Sequence, residues 1–181
     1  MTRRCLRDDE YASLEIASEC EKAIKQKIEE LSKGKLTLKA VGFGTGLKDK
    51  IAGTLEEKIK HLDYDAIIGE KVVAIIEISC TNYTFERSKF FPINAYKWRT
   101  EELPIYYVYS LEKEPCDLLE RCWWITQDKA TNNLLQPNPV WLETERPEGI
   151  KLQRNYIVNK NAWIRGLQSL VASLVLRLGD R

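Results

Sequence analysis

Two acids interrupt a largely apolar stretch. In DYDAIIGEKVVAIIEIS, residues 63–79, Asp65 lies near one end and Glu77 near the other. A charge in an apolar setting costs free energy unless it is paired or holds a metal ion. Alternate residues of a strand share a face. Asp63 and Asp65 therefore face one way on their strand, and Ile75, Glu77 and Ser79 share a face on the next. A three-residue turn at Gly69-Glu70-Lys71 is expected to set Asp65 directly across from Glu77, and a two-residue turn to offset the pair. Opposed carboxylates repel unless a cation lies between them. Mg²⁺ takes oxygen ligands, usually one or two carboxylates with waters and a substrate phosphate. Asp65, Glu77 and the Ile78 carbonyl make up such a donor set, and Mn²⁺ is expected to substitute. The competing reading is structural: an aspartate that ends a strand, and a glutamate in a salt bridge.

The elements that must carry these acids can be read from periodicity. Leu14, Ala17, Cys20, Ile24, Ile28 and Leu31 recur at three- and four-residue spacing, which predicts a helix over 9–33, stopped by Gly34. KLTLKAVGFGTG predicts a short strand running into a glycine-rich turn. That turn lacks the Lys-Ser/Thr ending and the spacing of a phosphate loop. Strands are expected at about 62–69 and 72–79, the second buried on both faces because it is β-branched and almost wholly apolar. Pro92 predicts the first turn of a helix running to about Glu102, and LPIYYVYSL, residues 103–111, a further strand. Strand, helix and strand in that order imply a right-handed crossover and a parallel pair. RCWWIT and NPVWLE read as short strands, 132–139 as a loop, and AWIRGLQSLVASLVLRL as a last helix capped by Asn161.

Over residues 10–111 this order of helix, strand, strand with Asp, strand with Glu, helix and strand resembles the PD-(D/E)XK nuclease superfamily. The resemblance implies an α/β fold with a restriction endonuclease-like mixed central sheet flanked by helices. It also implies Mg²⁺ held by Asp65 and Glu77. The family places a lysine two residues after the glutamate, and here that position is Ser79. Some branches carry the lysine on the following helix instead, which makes Lys97 the first candidate and Lys89 the second. Other branches bring a glutamate from the first helix to the metal; Glu21 fits that place, with Glu10 behind it. Arg87, Lys89, Lys97 and Arg99 would then grip phosphates, contacts that give affinity without sequence information. Tyr83, Phe85, Phe90, Phe91 and Trp98, interleaved with these bases, are expected mainly in the core. The implied activity is Mg²⁺-dependent DNA endonuclease cleavage. The alternative is a catalytically silent nucleic-acid-binding or interaction module on the same core.

Composition bounds the rest. The 181 residues are 44% hydrophobic, enough for one domain, with a nuclease-like core at 10–111 and an elaboration at 112–181. With 28 basic against 27 acidic side chains, the net charge of +1 neither demands nor excludes a polyanionic partner. Five cysteines without a CxxC spacing read as reduced thiols. The N-terminus shows no apolar leader and no stretch is long enough to cross a membrane, so an intracellular, cytoplasmic protein is expected. The single His61 supports neither a Ser-His or Cys-His device nor a zinc site. Trp123, Trp124, Trp141 and Trp163 read as core. The terminal helix, apolar over most of its circumference, is expected either to pack under the sheet or to form the seam of a homodimer.

Overall fold

A computed structural model describes residues 14–41, 62–80, 89–110, 121–146 and 149–176. Helix α1 (Leu14–Leu31) buries Cys20, Ile24 and Ile28, spaced by four so that they stack on one face. It ends where Lys33 and Gly34 adopt positive φ of 54° and 77°, a left-handed backbone that no helix can continue through. Lys25 pairs with Glu29 one turn away at 2.8 Å. The Glu29 carboxylate also accepts the Leu38 N–H at 2.8 Å, tying the helix to strand β1 (Thr37–Ala40).

β2 (Tyr64–Ile68) and β3 (Lys71–Cys80) form a hairpin closed by Gly69-Glu70, with Gly69 at φ +62°. The register shifts by one residue between Ala66 and Ile67, a bulge in which Val73 is the extra residue. Beyond β3 come β5 (Ile105–Ser110), β6 (Cys122–Thr126) and β9 (Ile164–Arg165), completing a six-stranded sheet in the order β1-β2-β3-β5-β6-β9. Only β3 and β5 run parallel; the other neighbours are antiparallel. β5 is buried almost end to end, as a continuous apolar run at a sheet centre should be.

The parallel pair is as expected, but its crossover holds no helix at 92–102. Residues Phe90–Asn94 are strand β4, followed by a 3-10 turn at Ala95–Lys97. β4 joins β7 (Val140–Arg146) and β8 (Gly149–Asn159) in a second, antiparallel sheet in the order β4-β8-β7. Because β4 is an edge strand, the missing N–H of Pro92 breaks no inner ladder. Phe91 and Ile93 alternate inward, a period of two that decides against the helix.

The two faces of the six-stranded sheet are covered differently. On one, α1 and helix α3 (Leu167–Leu176) enclose Leu36, Leu38, Ala66, Ile76, Ile78, Tyr106, Val108 and Trp124. On the other, β4 and β8 pack Phe91, Ile93 and Val158 against Ile105, Tyr107, Ile125 and Trp163. The Phe91 ring meets Trp163 at 5.1 Å and Trp123 at 5.9 Å, both edge to face. A one-turn-plus helix, α2 (Gln127–Thr131), leads out of β6.

Three further expectations are corrected. Asn161 does not cap the last helix: Lys160–Ala162 is a 3-10 turn capped by Asn159, and α3 starts after Gly166, whose φ of +98° blocks an earlier start. Of the two places expected for the last helix the first is observed, with Leu167, Leu170, Val171 and Leu174 of α3 buried under the sheet. Trp141 is not core but 63% exposed. Cys20 of α1 and Cys80 at the end of β3 form a disulfide, where reduced thiols were expected. Such bonds persist in oxidising surroundings and are rare in most cytosols, so this one hints at a location outside the cytoplasm. Among the described residues no helix is long and apolar enough to cross a membrane.

Candidate active site

The hairpin register decides which acids meet. Asp65 stands opposite Ile75 on β3 and Lys39 on β1, not opposite Glu77. One step beyond the last ladder pair, Tyr64 with Ile76, it is Asp63 that faces Glu77. The expected Asp65–Glu77 pairing is therefore corrected to Asp63–Glu77. Either a three-residue turn, or the observed two-residue turn with its bulge, puts residue 63 there. Careful counting from the turn was the available signal, and the shared face of Asp63 and Asp65 hid the difference.

Both acids of the observed pair are buried, Asp63 at 7% exposure and Glu77 at 2%. Each carboxylate is anchored by the other strand's backbone: the Asp63 N–H donates to Glu77 Oε2 at 3.3 Å, and the Ile78 N–H donates to Asp63 Oδ2 at 2.9 Å. These bonds replace the ladder where β2 begins, which is why two like charges can be held side by side. The N–H and C=O of one strand residue point to the same side, so the Ile78 carbonyl also faces the Asp63 side. No described residue donates to Asp63 Oδ1. Asp65 is half-buried with no described ion pair.

Lys97, on the 3-10 turn after β4, donates its ammonium to Glu77 Oε1. The turn itself is fixed from three sides. The Asn94 side chain accepts the Tyr96 N–H at 3.3 Å. Tyr107, Glu77's neighbour on β5, donates its hydroxyl to the Lys97 carbonyl at 3.0 Å and also contacts Gln127 Oε1. Trp98 stacks on Tyr107 at 6.2 Å and packs at a 30° tilt against Tyr156 at 4.4 Å. Burial holds the Tyr107 phenol protonated well above its usual range, with nearby Arg99 pulling the other way. Two residues after Glu77, Ser79 lies beside Tyr109, whose phenol pKa burial likewise raises while Ser79 opposes the shift.

The other expected residues are dispersed. Glu21 is buried on α1, beside Tyr64 on the helix side of the sheet, whereas Glu77 projects to the opposite face. Among the described residues no three His, Cys, Asp or Glu side chains are grouped as a metal site would need, so the carboxylates brought together are two. Lys89 is exposed, with its carbonyl bonded to the Lys160 N–H. Arg99 is half-buried near Tyr107. Glu10, His61, Tyr83, Phe85 and Arg87 lie outside the described residues. Sequence reading missed Asp63 as Glu77's partner and missed Tyr107 and Gln127 as the supports of Lys97.

Comparison with protein-family models, with curated proteins and with solved structures gives no match.

Proposed function

We propose that this chain is a Mg²⁺-dependent DNA endonuclease on a restriction endonuclease-like core, using Asp63, Glu77 and Lys97. The observation that carries this reading is the meeting of two buried carboxylates from neighbouring strands with one lysine from a rigid turn. The donor set suits a hard divalent ion: Asp63, Glu77 and the Ile78 carbonyl are all oxygen ligands. A divalent ion bound there supplies Lewis acidity and lowers the pKa of water. The chain's own residues supply the rest. Lys97 brings a compact positive charge to the developing phosphorane anion, and it stays in place because Tyr107 and Asn94 fix its backbone. Arg99, near Tyr107, is a candidate for a phosphate contact, with Lys89 further off at the start of β4, and two copies would let two sites address two strands.

The silent-module reading has one specific observation in its favour. Lys97 already neutralises Glu77, so the pair could close on itself as a structural ion pair without a metal. Cleavage of supercoiled and branched DNA separates the two. Wild type is expected to cleave with Mg²⁺ or Mn²⁺ and to stop in EDTA. Asp63→Ala and Glu77→Ala should fall to background, and Lys97→Ala should lose on the order of 10²–10³-fold. Asp65→Ala should stay within a few-fold of wild type. A wild-type protein inert with every divalent metal would establish the silent module instead.

A further inference from the structure

The second sheet ends in a surface that the proposed chemistry leaves unused. Cα partners in a ladder share a face, and the register of β8 runs unbroken against both its neighbours. Phe91, Ile93, Val158 and Tyr156 therefore share one face with Arg154, Leu152, Trp141 and Glu143. At the β4 end this face is core; at the β7 end it runs past the six-stranded sheet. There Trp141 is 63% exposed and Leu152 60%, and the Arg154 guanidinium lies 5.7 Å from the Trp141 ring centroid.

We infer that Trp141 and Arg154 form a stacking platform for an unpaired base, so that the substrate carries a single-stranded segment beside the bond to be cleaved. The inference rests on the nuclease reading above for what happens to that strand. Three observations select this occupant. An exposed indole backed by a guanidinium is the pairing that takes a base on one side and phosphate charge on the other. The platform is continuous with the site: Arg154 is two residues from Tyr156 along β8, about 7 Å, and the Tyr156 ring packs at a tilt against Trp98, the residue after Lys97. Along that path Arg154 is positive and Lys97 is ion-paired with Glu77, while Glu143 lies two register pairs further out and disfavours an anion at the outer end of the face. A rigid duplex keeps its bases stacked inside and offers no ring to Trp141, which makes the platform a discriminator.

The test is binding, measured in EDTA at one fixed salt concentration so that no metal chemistry enters. Fluorescence anisotropy compares a labelled oligothymidylate with a duplex hairpin of equal length. Wild type should prefer the single strand. Trp141→Ala, at a position too exposed to endanger folding, should weaken single-strand binding about tenfold and leave duplex binding nearly unchanged. Trp141→Phe should retain most of the affinity. Equal single-strand binding by wild type and Trp141→Ala would overturn the proposal, as would equal affinity for duplex. So would sedimentation showing that Trp141 seats a second copy of the chain while oligothymidylate does not bind. The failures separate cleanly: an inert platform with cleavage still lost in Glu77→Ala leaves the nuclease standing, and a working platform without any cleavage leaves the platform standing.

Discussion

The two faces of the six-stranded sheet differ in kind. The helix-side face is filled by aliphatic and aromatic side chains from β1, β2, β3, β5, β6, α1 and α3. Its polar exceptions include the buried Glu21 of α1 and the Tyr64 hydroxyl, which has no hydrogen-bond partner among the described residues; burial, then the charge of Glu21, pushes that phenol's pKa up. The opposite face mixes Ile75, Ile105 and Ile125 with Asp63, Glu77, Ser79, Tyr107 and Tyr109. There nearly every polar group has a specific partner: Ile78 for Asp63, Lys97 for Glu77, Lys97 and Gln127 for Tyr107, Pro92 for Tyr109. Burying an ion costs several kcal/mol, and such pairs seldom add net stability. The comparison teaches that both faces bury an apolar cluster, while the face carrying Glu77 also buries an ion pair at a cost in stability.

That division can be broken or sharpened by mutation. Leu170→Ala, on the helix side, is expected to cost about 2–5 kcal/mol by urea denaturation while activity per folded molecule is unchanged. A loss of activity beyond the unfolded fraction would tie the helix side to the chemistry. Replacing Cys20 and Cys80 together by serine opens a bridge across 60 residues and should cost about 2–4 kcal/mol, again sparing the site. Tyr107→Phe acts on the other face. It removes the hydroxyl that holds the Lys97 carbonyl and should cost only about 1 kcal/mol of stability. It should nevertheless lower kcat several-fold with little change in KM. Equal losses in stability and rate would make Tyr107 a structural residue only.

The smallest effect concerns the buried thiol of Cys122. Burial pushes its pKa up to about 12, with a hydrogen bond to Ser110 opposing the shift. The unfolded thiol titrates near 8.5. Below that pH both states hold the proton and stability is complete. As pH rises further, only the unfolded chain loses its proton, so stability falls progressively toward pH 12. Cys122→Ala should flatten the decline in urea midpoint between about pH 8 and 10. An unchanged slope would assign the decline to the buried tyrosines.

Much of this was legible in sequence where the signal was local. The helix at 9–33 is observed over Leu14–Leu31, and the strands at 62–69 and 72–79 as Tyr64–Ile68 and Lys71–Cys80. The parallel pairing of β3 and β5 was expected from a strand, helix and strand in order, and it is observed although β4 and a 3-10 turn stand where that helix was expected. What failed depended on distant partners. Pro92 suits a helix start as well as an edge strand, and only the presence of β8 turns FFPIN into sheet. Trp141 alternates like any half-buried strand residue, and nothing within its own strand announces its 63% exposure. The meeting of Asp63 with Glu77, by contrast, was within reach of counting from the turn, since a three-residue turn and the observed two-residue turn with its Val73 bulge give the same opposite pair. Lys97 contacts Glu77 from a 3-10 turn, where a helix was expected.

The most direct test is Mn²⁺ binding followed by loss of the free-ion electron paramagnetic resonance signal, on wild type and on Asp63→Asn, Asp65→Asn and Glu77→Gln. Wild type and Asp65→Asn should bind the ion, and Asp63→Asn and Glu77→Gln should not. Binding retained in Asp63→Asn and lost in Asp65→Asn would contradict the site built here.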